Sequence, residues 1–269
     1  MFSVDKRLLA EIMRKNRASL ATVPSWISDR DYRASVFHYG LPEYVRPFID
    51  GYIGDEPTYS DIIAYFAKQL ARPVRYFEIG VSVGKNFFQM LHHVEFAEMV
   101  GLDIEDINPV LAGFLTKREH VEWPTMEGSL RKAPSSVTEY EFSPHRKRVR
   151  YIAGDVFDDD MWRRLAGEKF NLVFSDAYHS GEALKREWNW ISRLELMDET
   201  GCVMIWDDLD SPEMQQAFSA VAREMTARFS LAKENVGLAR CRGWLGMREP
   251  PHTIGFAYKP PIFKVAPSS

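Results

Sequence analysis

Five short apolar runs, four of them followed directly by a helical stretch, constrain this chain more than any other feature. The runs are 74–79, 99–103, 149–153, 170–176 and 201–207. Several are apolar nearly throughout rather than alternating, the pattern of parallel strands covered on both faces. Helical patterns at 84–94, 158–167, 181–195 and 211–229 are interleaved with them, which is the rhythm of βαβ units. Ser211-Pro212 opens the last helix with an N-cap serine and a proline at the first helical position. Two later apolar runs, 230–238 and 252–260, suit a closing hairpin.

The expected fold is therefore α/β, a Rossmann-like three-layer sandwich of about seven mostly parallel strands with an N-terminal helical extension. A helix over 4–19 carries Leu8, Leu9, Ile12 and Met13 on one face. The stretch 20–57, rich in Pro, Gly, Tyr and Asp, reads as an irregular segment suited to covering a pocket, and a helix over about 58–71 starts near Ser60-Asp61. Residues 1–71 then form a helical or cap segment and 72–269 the main domain. The rhythm breaks at about 119–148, which is polar and charged, contains Pro124, Pro134 and Pro144, and ends in His145-Arg146-Lys147-Arg148. It reads as an insertion and a candidate for mobility. Its basic run is a solvated strand edge or, more sharply, a contact for a phosphate-bearing substrate.

With 269 residues, 45% of them hydrophobic, the chain can build one large α/β domain. A net charge of -4 argues against a nucleic-acid partner. Two cysteines form neither a disulfide framework nor a zinc cluster, which points to a reducing compartment. The N-terminus lacks a secretory apolar region and nothing approaches a membrane-length span. Cytoplasmic localisation, no membrane partner and a small-molecule substrate are expected, with a homo-oligomer left open.

Glu78-Ile79-Gly80-Val81-Ser82-Val83-Gly84 ends the first run and opens a helix. Glycines there permit a tight turn and close approach of a ligand, and the helix N-terminus offers free N–H groups. The dinucleotide fingerprint G-x-G-x-x-G does not match. The P-loop fails too, because Gly80-x-x-x-Gly84-Lys85-Asn86 is one residue short and has Asn for Ser or Thr. The remaining pattern, acidic-x-Gly-x-x-x-Gly, resembles the first motif of class I S-adenosylmethionine-dependent methyltransferases; a glycine turn without a ligand is the alternative. The resemblance covers roughly residues 72–260. It implies that Gly80, Ser82 and Gly84 lie against S-adenosylmethionine and that Glu78 contacts its methionine end indirectly. It implies further that Asp103, at the end of the second run, holds the ribose hydroxyls. A carboxylate suits that task because it accepts two hydrogen bonds in parallel. Asp155, in Ala153-Gly154-Asp155, would contact the adenine; its alternative is an N-cap of the next helix.

Asp176 ends the fourth run and Asp207-Asp208 the fifth. Strand C-termini of an open α/β sheet are where its ligands bind. Carboxylates ending adjacent strands repel unless a cation sits among them, and an all-oxygen set favours Mg²⁺ or Ca²⁺ over zinc. These segments resemble the metal-dependent small-molecule O-methyltransferases of macrocin or catechol type. That likeness implies Mg²⁺ on Asp176, Asp207 and Asp208, with Asp176 also near the cofactor and the reacting groups. The competing reading is a metal-free site with Asp207 or Asp208 capping the helix near Ser211. Asp210 reads as a turn residue. His179, just past Asp176, is a candidate general base, or else a partner for its loop or a substrate oxygen. His92 and His93 read as surface or packing, and His145 with His252 gives no metal-ligand spacing. Trp206 and Trp244 read as packing residues, and no G-x-S-x-G elbow places a serine nucleophile. The function expected is divalent-metal-assisted O-methylation of a small molecule. A metal-free N- or C-methyltransferase, a Rossmann-like binding protein without transfer chemistry and a hydroxylase-related protein remain open.

Overall fold

In a computed structural model of the chain, the described residues are 4–22, 56–93, 95–143, 147–242 and 252–260. Along the chain come α1 (Lys6–Leu20), α2 (Tyr59–Gln69), β1 (Val74–Ile79), α3 (Lys85–His93), β2 (Phe96–Asp103) and α4 (Pro109–Ala112). Then follow β3 (Leu115–Trp123), β4 (Ser135–Phe142), β5 (Lys147–Ala153), α5 (Asp159–Arg163), β6 (Leu172–Ser175) and α6 (Gly181–Arg193). The chain closes with β7 (Cys202–Trp206), α7 (Pro212–Phe229), β8 (Val236–Cys241) and β9 (His252–Lys259). One sheet holds the strands in the order β3-β4-β5-β2-β1-β6-β7-β9-β8. The central strands β5-β2-β1-β6-β7 are parallel, and β9 runs antiparallel to both β7 and β8.

Side chains of the central strands alternate between two cores. Tyr76, Val149, Tyr151, Phe174 and Ile205 join the core on the side of α2 and α3. Phe77, Ile79, Ile152, Val173, Met204 and Trp206 join the core built with α5, α6 and α7. Burial on both faces is why these runs read as apolar throughout. The Rossmann-like three-layer sandwich is the fold, and no helix among the described residues is long and apolar enough to cross a membrane.

The sheet has nine strands rather than about seven, because most of the expected insertion is the β3–β4 hairpin. On β4 burial alternates, with Tyr140 and Phe142 buried between half-buried Glu139 and Glu141. Only Trp123 is buried on β3. A strand covered on one face, beside an edge strand exposed on both, carries too few apolar residues to announce itself by composition. Lys117, Arg118 and Glu119 put charge on the sheet edge, which blocks edge-to-edge pairing. Pro124 and Pro134 stand just outside the strands, where the missing N–H costs no ladder bond. The hairpin expected at the C-terminal end is present as β8 and β9.

Helix α2 starts one step earlier than expected, with Thr58 as its cap. Asp61 Oδ2 accepts the Thr58 backbone N–H at 2.8 Å, and the Thr58 hydroxyl accepts from the Asp61 N–H. The same carboxylate, fully buried, accepts from Asn16 Nδ2 at 2.6 Å and from the Arg17 guanidinium at 3.1 Å. One side chain therefore caps α2 and fastens α1 to it. The segment expected to cover a pocket lies, over 23–55, outside the described residues. Because Asp61→Ala removes the buried acceptor that Asn16 and Arg17 share, it should destabilise the fold by about 3 kcal/mol. A chemical-denaturation midpoint that drops at constant slope would show this; an unchanged midpoint would refute it.

Candidate active site

Backbone bonds set the strand ends of the sheet in one row. Gly80 N–H donates to Leu102 O at 2.8 Å, Asp176 N–H to Ile79 O at 2.7 Å, Gly154 N–H to Asp103 O at 2.7 Å and Asp207 N–H to Ser175 O at 3.0 Å. Chain order reverses between β1 and β6, and such a switch point opens a crevice at the carboxyl ends of the strands. A cavity of about 970 Å³ lies there, lined by the β1 turn, Asp103, Asp155, Asp176, Asp207, Asp208 and His252 among others.

The glycine turn meets this cavity with most of its length. Gly80 lines it with φ +88°, and a Cβ there would stand 2.1 Å from the Asp176 carbonyl oxygen. Its freedom is demanded by the close pass of the turn over the end of β6. Ser82 also lines the cavity, in the left-handed region at φ +51°. Gly84, at φ +89°, packs instead against α4, where a Cβ would meet Leu111 Cδ2 at 2.7 Å; its neighbours Val83 and Lys85 line the cavity. Buried Glu78 reaches the lining from β1 and accepts from the Tyr76 hydroxyl at 2.7 Å and Asn86 Nδ2 at 2.9 Å. Burial pushes its carboxyl up to about 8 despite those donors.

Asp103 accepts the Ser82 N–H at 2.6 Å and the Glu105 N–H at 2.9 Å. Burial raises its carboxyl, and the backbone donors offset part of that rise. Asp155 accepts the Ser129 hydroxyl at 2.6 Å and the Phe157 N–H at 2.9 Å. The N-cap of α5 is Asp158, whose carboxylate takes the Asp160 N–H, so Asp155 is not the helix cap. Ser129 belongs to the β3–β4 loop, which lines the cavity with Met126, Gly128 and Leu130 as well. Sequence reasoning marked 119–148 as an insertion with a part in substrate recognition, but named none of these loop residues for the site. Arg131 pins it by donating to Ile104 O and Asp106, both at 2.8 Å, and to Pro134 O.

Five acidic and imidazole groups crowd the other end of the cavity. Asp176, His179 and Asp208 offer ligand atoms within 4.8 Å of one another, and so do Asp207, Asp208 and His252. His179 Nδ1 is bonded to Asp208 Oδ2. His252 Nδ1 stands 3.0 Å from Asp208 Oδ1 and 3.5 Å from Asp207 Oδ1. Burial, then repulsion from Asp207 and Asp208, raises the Asp176 carboxyl well above its usual range. Burial also raises Asp207. Asp208 is pushed up by burial but pulled further down by its bonds to both histidines, so it stays charged. That bond to Asp208 holds the His179 imidazole above its usual value. Asp207 Oδ1 is buried without a hydrogen-bond partner. An orphaned carboxylate oxygen among raised carboxyls, with oxygen and nitrogen donors around it, is a donor set that fits a divalent cation.

Neither Asp207 nor Asp208 caps α7; Ser211 does, accepting the Met214 N–H at 3.1 Å. Asp210 does more than turn the chain. Its carboxylate accepts the Thr253 N–H at 3.1 Å and the Thr253 hydroxyl at 2.6 Å, while Leu209 N–H donates to Thr253 O at 2.8 Å. These bonds carry His252 to the carboxylates. The one signal that would have placed His252 is its position at the start of a run expected to close the sheet. Trp206 is core, fully buried and edge-on to Phe218. Trp244, His145 and Arg146 lie outside the described residues. Arg148, from the basic run, pairs with Glu139 and Glu98 on the sheet.

No protein-family model matches the chain, and no curated protein matches it in sequence. Among solved structures it is similar to an O-methyltransferase from Bacillus cereus in complex with SAH, at 14% identity and TM-score 0.42, covering 96% of this chain and 94% of that one. It is similar to spermidine synthase from Thermotoga maritima at 13% identity and TM-score 0.46, covering 77% of this chain and 62% of that one. The human methyltransferase-like protein 13 in complex with SAH is 15% identical with TM-score 0.44, covering 77% and 83%.

Glu78 ties this site to stability. Folded, it keeps its proton up to about pH 8; unfolded, it releases it near 4.5. Between those values the native state binds more protons than the unfolded one, so the wild-type contribution falls as pH rises. Glu78→Gln, which keeps an acceptor for Tyr76 and Asn86, should match wild type in urea midpoint at about pH 5 and exceed it at about pH 9. An advantage independent of pH would show that Glu78 ionises normally.

Proposed function

We propose that the chain is an S-adenosylmethionine-dependent methyltransferase acting on a hydroxyl oxygen of a small molecule, assisted by a divalent cation such as Mg²⁺. One observation carries the reading. The carboxylates ending β2 and β5 face the same cavity as the β1 glycine turn, while those ending β6 and β7 gather at its other end. A volume of about 970 Å³ is near the upper end of small-molecule sites, roughly 300–1,000 Å³, and leaves room for a nucleoside-sized cofactor and a small second molecule. The acidic lining disfavours a polyanionic substrate.

Asp103, oriented by the backbone N–H groups of Ser82 and Glu105, turns its carboxylate to two vicinal ribose hydroxyls. Asp155, held by Ser129 and Phe157, faces the adenine, with Met126 and Leu130 as its apolar walls. Gly80 and Ser82 let backbone approach the methionyl end. Bound there, the cofactor supplies an electrophilic sulfonium methyl group. Asp176, Asp207 and Asp208 would hold a cation, which would supply a lowered pKa and a fixed orientation to the substrate hydroxyl. His179 has Nδ1 engaged by Asp208, which leaves Nε2 to take the hydroxyl proton. Holding acceptor and methyl in line supplies much of the rate.

Calorimetry with S-adenosylmethionine and S-adenosylhomocysteine tests the cofactor. Asp103→Ala should weaken binding roughly 10- to 100-fold, the value of hydrogen bonds to a charged acceptor; no binding to the wild-type chain sinks the reading. The cation is tested by release of S-adenosylhomocysteine over a panel of hydroxylated small molecules. EDTA should abolish the release, Mg²⁺ should restore it, and Asp207→Ala should prevent the restoration. Activity that survives both treatments removes the metal.

A further inference from the structure

We infer that His252 is itself a ligand of the proposed cation, and that the site favours a transition-metal ion such as Mn²⁺ over Mg²⁺. The inference rests on the cation reading above and not on methyl transfer. Two ligand atoms each about 2.1 Å from an ion and at right angles to each other stand roughly 3 Å apart. His252 Nδ1 has that relation to Asp208 Oδ1, at 3.0 Å, and nearly so to Asp207 Oδ1, at 3.5 Å. Asp207 Oδ1 is the atom left without a hydrogen-bond partner, on a side chain only 3% exposed. A buried carboxylate oxygen facing an imidazole nitrogen at that spacing, beside a second carboxylate at the same range, is placed for a shared ion.

Rigid backbone supports the placement. Asp208 takes φ +55°, a conformation Asp tolerates, and turns its carboxylate back beside that of Asp207. Leu209 and Asp210 then grip Thr253 through three hydrogen bonds, and Cys241 pairs with His252 across the β8–β9 ladder. His252 is thus fixed from both sides, and its side chain is 14% exposed. His179 differs. It sits on the loop before α6 with its side chain 54% exposed, in keeping with a proton-handling group at the cavity mouth. Carboxylates alone suit Mg²⁺. An imidazole nitrogen in the set shifts preference toward first-row transition ions, whose affinities for nitrogen ligands exceed that of Mg²⁺.

The test uses Mn²⁺ as the probe and the full chain without S-adenosylmethionine. Binding is read from loss of the free Mn²⁺ signal in electron paramagnetic resonance, and the ligand type from pulsed measurement of ¹⁴N coupling to bound Mn²⁺. Binding should persist in about tenfold excess of Mg²⁺. The ¹⁴N coupling should be present in wild type and in His179→Asn and absent in His252→Asn. His252→Asn should also weaken Mn²⁺ binding at least about 10-fold, since even outer-shell partners of a metal command that much. Should His252→Asn fail to fold, the coupling in wild type and in His179→Asn still decides. Bound Mn²⁺ without ¹⁴N coupling, or coupling lost in His179→Asn, overturns the assignment of His252 while leaving a cation site in place. No binding of Mn²⁺ or Mg²⁺ overturns the cation itself, and S-adenosylmethionine binding is unaffected by either result.

Discussion

Asp176 and Asp207 leave adjacent parallel strands immediately after the last register pair, Ser175 with Trp206. Strands in a sheet are about 4.8 Å apart, so two carboxyls are pressed together at a buried end of the sheet before any other residue is placed. Asp208 adds a third. Such a cluster is costly unless something neutralises it. Much of the surrounding structure answers that demand. His179 and His252 both bond to Asp208, which stays charged, while Asp176 is held toward its neutral form. The left-handed turn at Asp208 and the grip of Asp210 on Thr253 exist to hold this arrangement in place.

The same constraint reaches the glycine turn. A side chain at position 80 would collide with the Asp176 carbonyl, so the turn can pass over β6 only as glycine. The two halves of the cavity are therefore one mechanical unit. Moving the β1 turn moves Asp176, and crowding Asp176 displaces the turn. For the proposed transfer of a methyl group to an acceptor in line, this coupling would fix the distance between the two ends of the cavity without a separate device.

Much of this was legible in the chain. The central strands show because both faces are covered, which leaves few polar positions to blur them. The carboxylates at their ends show because strand C-termini are where such a sheet binds its ligands. What stayed hidden depended on contacts between distant segments. His252 reaches the carboxylates through an antiparallel strand that follows α7, and no local spacing joins it to Asp207. Asp210 looks like any turn aspartate until Thr253 is seen beside it. Gly84 carries the motif's second glycine, yet its positive φ serves packing against Leu111. The β3–β4 hairpin was hidden because Thr116 to Glu122 has no apolar face to display a period of two.

That hairpin also links folding to the site. Arg131 fastens its loop to Ile104 O and Asp106, just past Asp103, and Ser129 fastens it to Asp155. The loop is thus tied to the ends of both strands whose carboxylates line the cavity beside the β1 turn. It holds Leu130, 73% exposed, and Met126, 37% exposed, at the rim. Apolar side chains held exposed by a buried arginine are not there for the core, since they contribute nothing to it. On the proposed reading the adenine lies between them and Asp155, a flat group whose amino group can donate to that carboxylate. The hairpin widens the sheet with an edge strand that buries little, and what it adds is a wall for the cavity.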